Sequence, residues 1–325
     1  MHITRRQGLL ALAAAALGGR AAAQQDYPTR PIKLLIPFSP GGSPDLLGRL
    51  IGQQVGRQLG QTVVAENRLG ANGIIAADAV AKAAPDGYTL LLTTGSQAIN
   101  PSIYKKLPYD SAADFAPVSL LTVAPALTLV VNVNSPLRTV QDFLAAARKP
   151  DSKLSFGSPG IGNTLHLAGE LLNDVAGTRL LHVPYKGAAP ALQAVMGGEV
   201  TACFLSTTAA IIAVKAGQVR PLAVTSAQRI APFPEVPTLA ESGLPGFDYN
   251  GGWVAVFAPG KTPPAIVRRL SAEFDKAMQV SEIREQMIKW DSQPIGGTPE
   301  DLGRFVQAET HRFARIVKQA GIEPQ

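Results

Sequence analysis

Short apolar runs that end in glycine- or proline-bearing polar turns alternate with stretches of helical spacing along most of this chain. That alternation leaves few folds open. A parallel neighbour strand is reached only by a crossover, so strand–helix–strand order predicts mostly parallel sheets covered by helices on both faces. Pro31–Phe38 (PIKLLIPF) reads as a buried strand ended by Ser39-Pro40-Gly41-Gly42. Ser43 is expected to cap the next helix, Pro44 suits its first position, and Asp45 complements its positive end. Leu46, Leu47, Leu50, Ile51 and Val55 then continue at helical spacing. Strands at Thr62–Glu66 and Tyr88–Thr94 flank a helix at Asn72–Ala83, and Thr94-Gly95-Ser96-Gln97 reads as another polar turn.

A second unit repeats the pattern. A strand-rich stretch, Val118–Val133, is broken at Pro125 and followed by a helix at Val140–Ala147. The strand Leu154–Gly157 ends in Ser158-Pro159-Gly160-Ile161-Gly162, and a helix begins at Asn163 or Thr164. Strand and helix segments alternate again through Leu180–Val183, Ala188–Gly197, Val200–Leu205, Thr208–Ala216 and Pro221–Val224. Asn250–Ala258 is one more strand. The helices that follow, at Pro264–Met278, Ser281–Ile288 and Pro299–Ala320, have no new sheet to cover and are expected to return to the first unit. The chain then crosses between units near Ala124–Thr128 and Tyr249–Trp253. At 325 residues it exceeds the size at which a single core usually splits. The expected architecture is α/β with two lobes, each a mixed or parallel sheet flanked by helices, joined by a two-strand hinge. Lobe 1 is 24–125 plus 252–325, and lobe 2 is 126–251.

Residues 1–23 read as a cleavable secretory signal. Arg5 and Arg6 supply the charged region, Gly8–Gly18 a short apolar stretch, and Ala21-Ala22-Ala23 a cleavage site. The apolar stretch is shorter than the ~20 residues needed to span a bilayer. No Cys follows the cleavage site, so no lipid anchor is expected there. Thr4-Arg5-Arg6-Gln7 resembles a twin-arginine signal but Gly8 departs from it, so the Sec and twin-arginine routes both stay open. Removing Arg5, Arg6 and Arg20 takes the 30 basic residues to 27 against 24 acidic ones, so the charge falls from +6 to +3. That balance, with no basic run interleaved with aromatics, excludes nucleic-acid binding as the working expectation. The single cysteine, Cys203, sits in the apolar run Val200–Leu205 and reads as a core residue.

In open α/β sheets ligands bind beyond the carboxyl ends of strands, against the amino ends of helices. Ser39–Ser43 and Ser158–Thr164 have the glycines that let backbone N–H groups approach an anion. On pattern alone each is equally readable as an ordinary strand-to-helix turn. Enzyme motifs are absent. Ser158–Gly162 does not match the G-x-S-x-G elbow, and Leu165 stands where a dinucleotide fingerprint has its third glycine. His166, His182 and His311 show no metal-ligand spacing. No catalytic residue, metal or cofactor is expected.

The mature chain resembles the Bug family, the periplasmic receptors of tripartite tricarboxylate transporters. The resemblance runs from Tyr27 to Gly321. It is carried by PFSPGGSPD (37–45), ENRLGANGIIAA (66–77), PDGYTLLLTTGSQAINP (85–101), GSPGIGNTLHLAGELL (157–172), HVPYKGAAPALQAVMGGEV (182–200), PEVPTLAESGLPGF (234–247) and APGKTP (258–263). It implies a two-lobed receptor that closes on a small organic acid, without catalysis, for delivery to membrane transporter subunits. Residue by residue it implies a first-lobe wall of Phe38, Ser39, Pro40, Gly41, Gly42 and Asp45, with Thr94, Ser96 and Asn100. The second-lobe wall would be Ser158, Gly160, Gly162, Asn163, Thr164 and His166, with Tyr185, Lys186 and Gly187. Thr201 and Ser206 stand where the family often has Asp, which points away from an amino-acid ligand and toward a non-amino dicarboxylate or an aromatic carboxylate. A monomer in the periplasm is expected. A sensor subunit that presents its ligand to a signalling protein, and less readily a hydrolase using Ser158, are the alternatives.

Overall fold

The computed structural model describes residues 27–250, 252–290, 292–319 and 321–324. The expected signal at 1–23 lies outside the described residues. The chain opens with β1 (Ile32–Ile36), α1 (Ser43–Leu59), β2 (Val63–Asn67), a 3-10 turn (Ala71–Gly73), α2 (Ile74–Ala81), β3 (Thr89–Thr94), α3 (Ser96–Ile103) and β4 (Phe115–Val123). There follow β5 (Leu127–Asn132), α4 (Val140–Ala147), β6 (Ser155–Ser158), α5 (Thr164–Ala176), β7 (Leu181–Pro184), α6 (Ala188–Gly197), β8 (Ala202–Ser206), α7 (Thr207–Lys215) and β9 (Val219–Val224). The last elements are β10 (Trp253–Pro259), α8 (Pro264–Gln279), α9 (Ser281–Lys289), β11 (Gln293–Pro294) and α10 (Pro299–Gln319).

Two sheets result, ordered β11-β4-β10-β3-β1-β2 and β7-β6-β8-β5-β9. In the first, β1 pairs parallel with β2 and β3, while β10 runs antiparallel to β3 and β4. In the second, β6 pairs parallel with β7 and β8, and β5 runs antiparallel to β8 and β9. Pro221 is tolerated because β9 is an edge strand. The two crossings between sheets are tied to each other: the Ala124 N–H donates to the Gly252 carbonyl at 2.8 Å.

Burial explains why these segments hold. The strand Ile32–Ile36 alternates only at Lys33, and its other four side chains are buried. Close approach of α1 to this sheet needs glycine at Gly48, where a Cβ would lie 2.8 Å from Ile36 and 2.9 Å from Leu92. The C-terminal helices do return to the first sheet: α8 packs on β4 and α1, and α10 on α3 and β4. One core cluster runs through both sheets, from Leu35 and Leu91 through Phe313 and Leu167 to Phe156 and Phe204.

Three expectations need correction. Gly42, not Ser43, occupies the N-cap of α1, and no side chain caps it. The helix expected from Asn72 starts at Ile74, because Ala71 and Asn72 take left-handed φ values of 46° and 49°. The turn at Thr94–Gln97 is instead the start of α3, a helix hidden in the sequence by Asn100 and Pro101.

Candidate ligand site between the two sheets

The first-lobe turn is held from behind. Asp45 is 2% exposed, and its carboxylate accepts from the Gly41 N–H at 2.9 Å, Arg49 Nε at 2.9 Å and Asn67 Nδ2 at 2.7 Å. Asn67 Nδ2 also reaches the Phe38 carbonyl at 3.0 Å. Burial alone would raise the Asp45 carboxyl, but the hydrogen bonds from Arg49, Gly41 and Asn67 outweigh it and hold the group below its ordinary value. Asp45 therefore fixes the Phe38–Gly42 backbone and spends its own charge there.

The second-lobe turn has a similar support. Asn163 caps α5 by accepting from the Leu165 N–H at 3.0 Å. The Gly162 N–H donates to His166 Nδ1 at 3.2 Å, so that nitrogen carries a lone pair and Nε2 carries the proton toward Glu170 Oε1, 3.4 Å away. Ser158 Oγ lies 2.7 Å from His182 Nε2. The rings of His166 and His182 lie tilted at 34° to each other with centroids 3.9 Å apart. Burial, then the charge His166 would carry, push His182 down from 6.5 to about 4, against a smaller opposing effect of Glu170.

A serine beside a histidine invites comparison with a hydrolase. Ser158 is fully buried, however, and lines neither cavity described below. Its Oγ also approaches the Gly160 carbonyl at 3.2 Å. The pair braces a loop and presents no nucleophile to a substrate. His166, Glu170 and His182 also come within reach of a common ion. Two imidazoles bound in line to one tetrahedral ion at ~2.0 Å would hold their centroids about 5 Å apart. The observed spacing of 3.9 Å is tighter than that, as expected of two rings packed on each other, each bonded to its own partners.

The lobes meet over these turns. Ser43 Oγ and Ser206 Oγ are 2.5 Å apart, and Asn163 Nδ2 donates to Asn72 Oδ1 at 3.4 Å. Asn72 is itself held by Asn100, which exchanges hydrogen bonds of 2.8 and 3.2 Å with it. On one side of this seam lies the more enclosed of two cavities, about 110 Å³, and on the other a more open one of about 460 Å³. Both share Phe38, Pro159 and Asn163. The enclosed cavity takes in Phe38, Ser39, Gly42, Thr94, Asn163, Thr164 and Ser206 of the expected residues. Gly160, Tyr185, Lys186 and Gly187 face the open one. Pro40 and Gly41 are exposed and line neither. Asp45, Ser96, Asn100, Ser158, Gly162 and His166 lie behind the walls, where they hold the lining residues in place.

The amino ends of α1, α5, α6 and α7 all reach the enclosed cavity, through Gly42–Pro44, Asn163–Leu165, Ala188 and Ser206–Ala209. The first N–H groups of a helix have no partner within it, so these ends present donors and partial positive charge to whatever fills the space. Sequence reasoning had missed Thr122, Thr207, Thr208, Trp253, Val254, Trp290 and Ser292, which also line it. Most lie in or beside apolar strand runs with no local mark of a site. Only Asn72 carried a usable signal, since an Asn-Gly pair between periodic segments favours left-handed backbone.

Comparison with known proteins gives concordant results. The model of the tripartite tricarboxylate transporter family receptor matches residues 47–322. A protein from the tcbD-tcbE intergenic region of a Pseudomonas species is 40% identical over 319 residues, covering 97% of this chain and 94% of the relative. Among solved structures, the R. palustris protein Rpa4515 with adipate has a TM-score of 0.88 at 36% identity, covering 92% of this chain and all of that one. The periplasmic binding protein BugD gives 0.87 at 32% identity, with 92% and 100% covered.

Proposed function

This chain belongs to the Bug family of tripartite tricarboxylate transporter receptors, and from that premise we propose that it captures a small organic carboxylate between its lobes and delivers it to membrane transporter subunits. The observation that carries the reading is the meeting of four helix amino ends, from both lobes, on one enclosed cavity. One such end stabilises an anion by about 0.3–1 kcal/mol, and up to about 2 kcal/mol when partly buried. Several acting together hold a carboxylate without a salt bridge. The ligand groups are then the backbone N–H groups and hydroxyls at Ser39 and Ser43, Asn163–Thr164 and Ser206–Thr208. Asp45 and His166 position them.

Closing requires the two lobes, 24–125 with 252–325 and 126–251, to turn about the Ala124–Gly252 pair. The closed form is the one the membrane partner would recognise. Residues 1–23 export the chain to the periplasm. Among the described residues no helix is long and apolar enough to cross a membrane. Catalysis is not part of this reading, since Ser158 is sealed off from both cavities.

The test is the melting temperature of residues 24–325, stripped of ligand by unfolding and refolding, against a panel of organic acids. A ligand at about 100 times its dissociation constant stabilises by about 2.7 kcal/mol, which raises the melt by several degrees. The expected result is a rise with a chemically related subset of acids. No rise with any acid overturns the carboxylate reading.

A further inference from the structure

The chain returns to the first sheet through Tyr249–Trp253, and one face of the C-terminal helix is spent on that crossing. Phe305, Glu309, Arg312 and Phe313 share the face at helical spacing along α10. Trp253 is the first residue of β10 and part of the enclosed cavity's wall, and it packs edge-on against Phe305 with centroids 5.8 Å apart. Its Nε1–H donates to Glu309 Oε2 at 3.2 Å. Glu309 is 7% exposed, and a carboxylate so buried needs a cation. Arg312 supplies it one turn on, with Nη1 2.9 Å from Oε1 and 3.2 Å from Oε2. The same nitrogen donates to Asn250 Oδ1 at 3.2 Å, and the guanidinium lies 5.8 Å from the centre of the Tyr249 ring. Tyr249 is itself buried, and its hydroxyl donates to the Thr164 carbonyl at 3.0 Å, at the amino end of α5.

One guanidinium therefore joins the two sides of the crossing. Trp253 belongs to the first sheet, while Tyr249 and Asn250 precede Gly252 and lead, through Tyr249, to Thr164 on the opposite wall of the same cavity. A buried ion pair is a poor source of stability, because the loss of water from both charges offsets much of their attraction. What a planar, many-donor guanidinium supplies instead is fixed geometry among several acceptors. The bond to Asn250 adds little to the fold: Asn250 is half-buried, and among the described residues its side chain bonds only Arg312. We propose that Arg312 is a positioning residue for ligand capture, holding the crossing, through Glu309 and Asn250, at the angle that sets Trp253 and Thr164 on one cavity. The inference rests on the carboxylate-receptor reading above and adds to it the element that couples lobe angle to cavity wall.

Two substitutions cut the network on either side of Arg312. Asn250→Ala removes its partner on the crossing. Glu309→Gln keeps an oxygen for the Trp253 N–H but loosens the hold on the guanidinium. Wild type, both variants and the double variant are titrated by calorimetry with adipate, malate, citrate and benzoate. Each single variant is expected to bind the best of these acids about fivefold more weakly. The double variant is expected to bind about as the weaker single one does, since both act through one guanidinium. The ligand-free melting temperature of Asn250→Ala should stay within about 2 °C of wild type. Both tryptophans of the chain line the cavity, so emission reports on its wall. Ligand-free Asn250→Ala is expected to shift that emission although Asn250 bonds neither indole. Wild-type affinity in Asn250→Ala overturns the proposal, as do losses that simply add in the double variant. A purely structural role would lower the melting temperature and leave the affinity of the folded protein unchanged. If wild type binds none of the acids, the receptor reading falls. The emission of ligand-free Asn250→Ala then decides the coupling by itself, and an unshifted spectrum overturns it.

Discussion

Ser206 stands at the end of β8, where it bonds Ser43 across the seam and caps α7 through the Ala209 N–H at 3.4 Å. Aspartate caps a helix as well as serine does, so Ser206→Asp keeps that support. It also puts a negative charge in a wall meant for an anion. The expected outcome is a loss of tenfold or more in carboxylate affinity, about 1.4 kcal/mol, with a melting temperature within a few degrees of wild type. Calorimetry and a thermal melt on the same preparation check both halves. His182 supports a second prediction. Its folded value of about 4 lies below the 6.5 of the unfolded chain, so between these values the unfolded state binds more protons. Stability from this group is full above pH 6.5 and is lost as pH falls toward 4. Glu170, held low by its bonds from His166 and Asn173 against the opposing effect of burial, adds to the loss below its ordinary 4.5. Because His182 is partly open to solvent, a drop of about 1–2 kcal/mol is expected after screening. Thermal melts from pH 7 to 4 should show it, and His182→Asn should flatten that slope.

Elements of the same kind serve different ends here, and cap removal separates them. Thr139 forms a capping box with Asp142 at the start of α4, and neither residue lines a cavity described above. Asn163 caps α5 inside the cavity and also reaches Asn72 across the seam. Each alanine substitution should cost about 1 kcal/mol of stability. Asn163→Ala alone should also weaken ligand binding, by about fivefold or more, and paired denaturation and binding measurements check the contrast. The sequence placed the starts of both helices, at Val140 and at Asn163 or Thr164, and most element boundaries within a few residues, but it named neither cap. It failed where tertiary packing overrides local preference. α3 begins inside a polar turn and contains Pro101, yet its Ser96, Gln97 and Asn100 are all buried. β11 is a two-residue strand that exists only because it pairs with β4. The site was half legible for a related reason. Glycine turns before helices are local signals. Thr122, Trp253 and Trp290 come together only when β4 and β10 pair across more than a hundred residues of chain, and no spacing rule encodes that.

At the scale of the whole molecule, function depends on how closely the lobes approach. Gly95 marks the limit. Its backbone sits at φ −49°, which alanine adopts freely, so substitution brings no local strain. An added Cβ would stand 2.8 Å from Thr164 Cγ2 on the other lobe and 3.4 Å from the Phe313 ring. A β-branched threonine in the first turn of a helix has little rotamer freedom to yield. In the proposed opening of the lobes this contact is released, so Gly95→Ala penalises the closed form. Ligand affinity falls by the fraction of closure lost, since binding draws on the closed population. The expected result is about tenfold weaker binding, a smaller ligand-induced decrease in radius of gyration by solution scattering, and a ligand-free melting temperature within about 2 °C of wild type. Thr164→Ser removes the opposing methyl while keeping the hydroxyl, so the double variant should recover most of the affinity. If the double variant binds as weakly as Gly95→Ala, the methyl is not what stops closure. If Gly95→Ala binds as tightly as wild type, the bound state is more open than the arrangement described.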